Sequence, residues 1–140
     1  MQGNKGEWSE SYAALRIIGD RKIFVADRSG AMNPNEWMNV LALMRRETRE
    51  RLVSYRYDEN DVDVVIAVNE DPVYRLPASE FVSLADRLLT EINRNKSSSF
   101  VVTDELESAL RTVQVHSLKA KSDSKSDVTL SVLDPRSGVT

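Results

Sequence analysis

The sequence predicts an α+β fold, a mixed β-sheet flanked by helices, from three observations. Apolar residues recur at helical spacing from Glu7 to Ile18 and again after Pro77. Short β-branched runs, among them Lys22 to Ala26 and Val62 to Val68, stand between those stretches. Clusters of Asn, Asp, Gly, Ser and Pro separate the runs, as turns require. With 140 residues, 41% of them hydrophobic, the chain is long enough for one core and too short for two independent ones, so residues 1–140 read as a single domain or as one end of a larger fold.

The elements follow in order. Trp8, Tyr12, Leu15 and Ile18 form one helical stripe between Gly6 and Gly19. Lys22 to Ala26 is a strand, and Asp27 to Gly30 is turn chemistry. Asn33, Pro34, Asn35 and Glu36 look like the start of a second helix carrying Trp37, Val40, Leu41 and Met44. Arg51 to Tyr57 and Val62 to Val68 are strands joined through the polar cluster Asp58 to Asp61, and Val73 to Leu76 extends the sheet. Pro77 opens a helix of about eighteen residues with Phe81, Leu84, Leu88 and Ile92 on one face. Asn95 to Ser99 closes it, Ser99 to Val102 is a short strand, and Thr103 caps a helix carrying Leu106, Leu110 and Val113. Val115 to Ala120 is strand-like, Lys121 to Ser126 is a polar loop, Val128 to Val132 alternates as a strand, and Asp134 to Gly138 is a turn.

Composition excludes several classes of function. A net charge of -3 argues against a protein that coats nucleic acid through mass phosphate neutralisation, but not against local basic patches. Nothing approaches the roughly 18 apolar residues of a membrane span, so no membrane partner is expected. The N-terminus has no secretory or transit pattern, and the absence of cysteine removes disulfides and thiolate metal sites, which suits a cytoplasmic protein. The dense basic run of Arg45, Arg46, Arg49, Arg51 and Arg56, broken by Glu47 and Glu50, reads first as a solvated helix end with internal ion pairs and second as a DNA contact.

With His116 as the single imidazole, no Gly-rich phosphate cradle and no thiol, the chemistry left is that of carboxylates, hydroxyls and lysines. Those are hard oxygen ligands and point charges, the set that Mg²⁺ and a phosphodiester require. Asp127, at the head of the alternating strand, is placed either as a strand-entry aspartate or as a metal ligand at a sheet edge. Glu10, two residues after Trp8, faces away from the apolar stripe and by periodicity alone is simply solvent-facing.

Two blocks of sequence resemble HpaII-type restriction endonucleases. The first is Gly3 to Asp27, GNKGEWSESYAALRIIGDRKIFVAD, a helix followed by a lysine-led strand ending in Ala-Asp. The second is Lys119 to Gly138, KAKSDSKSDVTLSVLDPRSG, a lysine-and-serine loop, a Ser-Asp-hydrophobic strand and an Asp-x-Arg-x-Gly turn. The resemblance implies the N-terminal portion of a restriction-endonuclease-like, PD-(D/E)xK core, and with it Mg²⁺-dependent, sequence-specific hydrolysis of double-stranded DNA. Carried over residue by residue, Asp127 matches the catalytic, metal-holding aspartate of the strand. Glu10 matches the helix glutamate, with Glu7 as the second choice.

The resemblance also assigns DNA contacts to Lys119, Lys121, Lys125 and Arg136. It divides the chain into a first core helix and strand (1–27), an inserted α/β segment (32–113) and the start of a catalytic hairpin (114–140). The family's lysine strand belongs after the Asp134 to Gly138 turn, so the chain reads as truncated before it and inactive alone. Asp20-Arg21-Lys22 and Asp123-Ser124-Lys125 have the spacing of a replacement, but the first begins in a turn and the second lies in a polar loop. Double-stranded DNA is the implied partner, and a homodimer is compatible with it. The rival reading is a non-catalytic DNA- or protein-binding α+β module built on the middle hairpin and the arginine run.

Overall fold

Asn4 fixes where the first helix begins. Its side chain accepts from the Glu7 backbone N–H at 2.8 Å while the Glu7 carboxylate accepts from the Asn4 N–H at 2.9 Å, a reciprocal capping box that satisfies two otherwise orphaned donors. The helix, α1 (Lys5–Asp20), ends at Arg21, whose left-handed backbone (φ 61°) returns an N–H to the Ile17 carbonyl. The structure is a computed structural model, and it describes residues 1–26, 32–116, 118 and 128–133.

Ten further elements lie among the described residues: β1 (Gln2–Asn4), β2 (Lys22–Ala26), β3 (Met32–Thr48), β4 (Arg51–Tyr57), β5 (Asp63–Val68), β6 (Asp71–Pro77), α2 (Ala78–Arg94), β7 (Ser99–Val101), α3 (Asp104–Thr112) and β8 (Val128–Leu133). The main sheet runs β2-β3-β4-β5-β6, with β8 also on β3, and β1 pairs separately with β7. The class is α+β, and the expected mixed sheet resolves, among the described strands, into antiparallel pairings throughout.

One core joins the pieces. Trp8, Leu15 and Ile18 of α1 share it with Leu43, Val53, Tyr55, Val64 and Ile66 of the sheet and with Phe81, Leu84, Leu88, Leu106 and Leu110 of α2 and α3. Thus residues assigned to 1–27 and to 32–113 are packed in the same apolar cluster. Trp8 is fully buried, as its place in the stripe requires; its indole N–H donates to the Phe100 carbonyl at 3.1 Å and its ring stacks on Phe100. Tyr12 is only half-buried, and Ser11 and Ala14 are buried instead. Small residues suit the close approach of α1 to α2, as at Gly19, where a Cβ would lie 2.9 Å from the Val82 nitrogen. The α2 stripe is as expected, with Phe81, Leu84, Leu88 and Ile92 buried.

Three expectations need correction. The helix expected from Asn33 through Met44 is the long strand β3. Leu41, which that helix would have buried, is 40% exposed, whereas Ala42 is fully buried. The cause is non-local: β4 and β8 both register on β3 over Ala42–Arg45 and so occupy its two edges, and those ladders override the local helix preference of Leu-Ala-Leu-Met-Arg-Arg-Glu. Consequently the arginine run is a strand, a turn and a strand rather than a helix end. Finally, Val115, His116 and Leu118 are not in a strand; Val115 instead donates to the Leu110 carbonyl, finishing α3.

The hairpins carry recognisable turn chemistry. Between β5 and β6, Asn69 (φ 50°) and Glu70 (φ 74°) are both left-handed, the two-residue turn whose twist matches the strands. Between β4 and β5, the Asp58 carboxylate accepts from the Val62 and Asp63 N–H groups and from Arg75. Burial pushes the Asp58 carboxyl up, but those three donors outweigh it and leave it below the ordinary aspartate value.

Candidate functional site

The first helix presents its two glutamates differently. Glu7 is committed to the capping box, whereas Glu10 is exposed on the side of α1 away from Trp8, Leu15 and Ile18. Of the two, Glu10 is therefore the one whose carboxylate is not already used to close the helix. Asp127, Lys119, Lys121, Lys125 and Arg136 lie outside the described residues, as do Asp123-Ser124-Lys125 and the turn from Asp134 to Gly138. Val128, which follows Asp127, is described and registers opposite Arg45 of β3. Among the described residues no three His, Asp or Glu side chains gather to hold a metal, so Glu10 by itself makes no metal centre.

The other Asp-x-Lys spacing is dispersed by its surroundings. Asp20 accepts from Arg16 at 2.9 Å. Arg21 bonds Asp61 and stacks its guanidinium 4.1 Å from the Tyr57 ring centroid. Lys22 opens β2. The Tyr57 hydroxyl donates to the Ile18 carbonyl at 2.6 Å; burial raises its pKa to about 12, with Arg21 opposing that rise. These contacts tie the end of α1 to β4, a structural role.

What sequence reasoning missed is a buried charge cluster inside the arginine run. Glu47 is 2% exposed and its carboxylate accepts from Arg45 Nη1 at 2.5 Å, from Arg51 Nε at 2.7 Å and from the His116 backbone N–H at 2.7 Å. Arg51 reaches on to the Gln114 side chain at 2.6 Å, at a residue held left-handed (φ 68°). The register between β3 and β4 steps from Arg46 opposite Leu52 to Thr48 opposite Arg51, which makes Glu47 the extra residue of a β-bulge. Tyr55 borders this cluster: burial pushes its phenol well above the ordinary value, Arg45 and Arg51 draw it back, and its hydroxyl donates to the Val113 carbonyl. The signal was present as an alternating Arg45-x-Glu47 pair, which shares one face in a strand but not in a helix.

The His116 ring, by contrast, is exposed and only approaches the Arg111 carbonyl, so its contribution to the cluster is its backbone. Arg46 is exposed and bonds the Arg49 carbonyl across the β3–β4 turn. The run is thus divided into an inward-facing, carboxylate-bound part, Arg45 and Arg51, and an outward-facing part that includes Arg46.

Comparison with known proteins bears on the whole chain. No solved structure matches it. A type II restriction enzyme, HpaII of Haemophilus parainfluenzae, is 30% identical over 140 residues; the match takes in all of this chain and 38% of that enzyme. The model of the HpaII restriction endonuclease family matches residues 4–140, from the helix cap to the last residue and so across both blocks noted in the sequence. The chain belongs to the HpaII restriction endonuclease family.

Proposed function

We propose that this chain is the N-terminal part of a type II restriction endonuclease that hydrolyses both strands of duplex DNA at a specific sequence, using a divalent ion, Mg²⁺ by the hardness of the available ligands. The observation that carries the reading is the family match over residues 4–140. The chain spans 38% of the length of the curated relative that it matches, so the proposal concerns a larger catalytic unit.

Within that unit, Asp127 and Glu10 are the proposed carboxylates. Glu10 is exposed on a rigidly capped helix, and the residue following Asp127 is already anchored in the sheet. Lys119, Lys121, Lys125 and Arg136 are the proposed phosphate contacts, which position DNA without reading its sequence. When bound, the ion supplies Lewis-acid polarisation and a water of lowered pKa. The remaining ligand and the lysine are expected elsewhere in that larger unit. Cutting two antiparallel strands suits a two-fold homodimer, and the cytoplasm is where such an enzyme meets DNA. No helix among the described residues is long and apolar enough to cross a membrane.

The test is cleavage of plasmid DNA by the product of the complete reading frame, with Mg²⁺ and with EDTA, beside its Asp127→Ala variant. Discrete fragments that need Mg²⁺ and vanish in the variant are expected. Discrete cutting that survives Asp127→Ala would remove that residue from the site, and no cutting under any condition would reject the nuclease reading. A polypeptide of residues 1–140 alone is expected to leave the plasmid intact. Each about 1.4 kcal/mol of lost transition-state stabilisation is tenfold in rate, and a missing ligand and lysine remove several such steps.

A further inference from the structure

Strand β5 is apolar on both of its sides. Val64 and Ile66 enter the core that the sheet shares with the helices, but the alternate residues Val65 and Ala67 are apolar as well. A sheet with one wetted face alternates apolar and polar residues, whereas an unbroken apolar run is the pattern of a strand covered on both faces. The outer face continues through the register, with Met44 beside Ser54, Ser54 beside Ala67 and Ala67 beside Pro72. With Leu52 and Val65 these residues line a shallow hollow of about 340 Å³, and no residue of α1, α2 or α3 lines it.

Opposite charges stand at the two ends of this hollow. Arg56 lies at the level of Val65, and Glu70 follows Asn69, whose backbone N–H donates to the Leu52 carbonyl, so Ser54 and Ala67 lie between the two. Both charged side chains are exposed, and neither has a hydrogen bond or ion pair among the described residues. Arg75, by contrast, is taken up by Asp58 and Asp63. An apolar centre with a cation at one end and an anion at the other is complementary to itself. A two-fold axis lying between two such faces, over Ser54 and Ala67, carries Arg56 of each copy to the Leu52–Glu70 end of the other, as an isologous contact requires. The small side chains at the centre let two sheets meet at the usual separation of about 10 Å. Duplex DNA fits this face less well, because its phosphates would meet Glu70 and apolar side chains.

We infer that the outer face of the main sheet is the homodimer interface: a second copy of this chain packs sheet on sheet, with Arg56 of each copy on Glu70 of the other. The inference rests on the two-fold homodimer proposed above and deepens it by naming the surface. At the rim of the contact the pair selects the register more than it adds affinity. Reversing one charge, which sets like charges against each other, is therefore more informative than removing it.

The experiment is sedimentation velocity on the product of the complete reading frame, over a concentration series, for the wild type, Arg56→Glu, Glu70→Arg and the double variant. The wild type is expected to be a dimer. Each single reversal should raise the dimer dissociation constant about tenfold or more. The double variant, in which the pair re-forms with its charges exchanged, should return to within about threefold of the wild type. Single reversals that leave the dimer unchanged, or a double variant no tighter than the singles, would show that the dimer uses another surface and overturn the inference while leaving the homodimer itself intact. A wild type that stays monomeric at every concentration rejects both. Photo-methionine in place of methionine identifies the occupant directly, with ¹⁴N- and ¹⁵N-labelled protein mixed so that links between copies are told from links within one. Met44 of one copy is expected to link to β4 or β5 of the other. Linkage of Met44 to a segment beyond Thr140, with none between copies, would mean that the rest of the enzyme covers this face, and overturns the inference.

Discussion

Strand β4 carries an arginine–carboxylate cluster at each end, and the two are built for different purposes. At its start, Arg51 joins Arg45 on the buried Glu47. Just past its end, Asp58 and Asp63 take up Arg75, whose side chain is 54% exposed. The chemistry is the same, but the first centres on Glu47, 1% exposed, whereas the second, though Asp58 is itself 7% exposed, has its guanidinium largely open to water. At the exposed end the pairing competes with hydration and screening, and its product is a well-formed turn. At the buried end the carboxylate is nearly out of reach of water, so its pairing with Arg45 and Arg51 is not weakened by hydration in the same way. Pairing charges is thus not one interaction with one strength; the surrounding medium decides whether it trims a hairpin or dictates a geometry.

The largest effect expected from breaking this contrast is at Glu47. Glu47→Ala strands buried guanidinium charge, and a loss of about 3 to 5 kcal/mol in a denaturant titration is expected. Trp8→Ala is the yardstick: removal of a fully buried indole costs about 3 to 5 kcal/mol through the apolar burial lost and the cavity left behind. A Glu47→Ala cost far below that of Trp8→Ala would show that water reaches the cluster and erase the distinction.

At the exposed end, Asp58→Asn is expected to move the urea midpoint much less than Glu47→Ala, and its effect should depend on pH. The folded Asp58 pKa is below its unfolded value, so its contribution is fully present above the unfolded aspartate pKa and is lost as pH falls through the lower, folded one. The difference between wild type and Asp58→Asn should therefore be flat near neutrality and shrink in strong acid. A difference that grew on acidification would contradict the assignment.

The smallest predicted effect sharpens the buried end, where the β5–β6 turn meets the β3–β4 turn through the Asn69 side chain and the Glu50 carbonyl. Glu70 is exposed and left-handed, the conformation that glycine adopts without penalty. Glu70→Gly should stabilise by about 0.5 kcal/mol, the relief of backbone strain less the added freedom of the unfolded chain. Thermal denaturation checks the sign.

How much of this was legible in the sequence depended on whether the cause was local. The first helix and the α2 stripe could be read because their periodicity exceeds any competing signal, and the burial of Trp8 followed from it. The β4–β5 hairpin could be read because its polar turn residues announce it. Strand β3 could not, because its middle consists of good helix formers and only partners from elsewhere in the chain make it extended. That error hid the site's unexpected member: on a helix Glu47 pairs with arginines in solvent, while on a strand it turns inward with Arg45. Glu10 was legible as an outward-facing residue; what meets it there was not, since that depends on residues far along the chain.

The close approach at Gly19 has a wider meaning when taken with the other fastenings of α1. The helix is locked at its head by Asn4 and Trp8, at its tail by the Tyr57 hydroxyl on the Ile18 carbonyl, and along its flank by contact so tight that not even a methyl group fits against Val82. It behaves as a rod fixed at both ends. Any molecule that meets its exposed face finds the surface already set, and the entropy that a looser helix would surrender on contact has been given up during folding. Precision at that face is therefore a property of the resting protein, not something its ligand must impose.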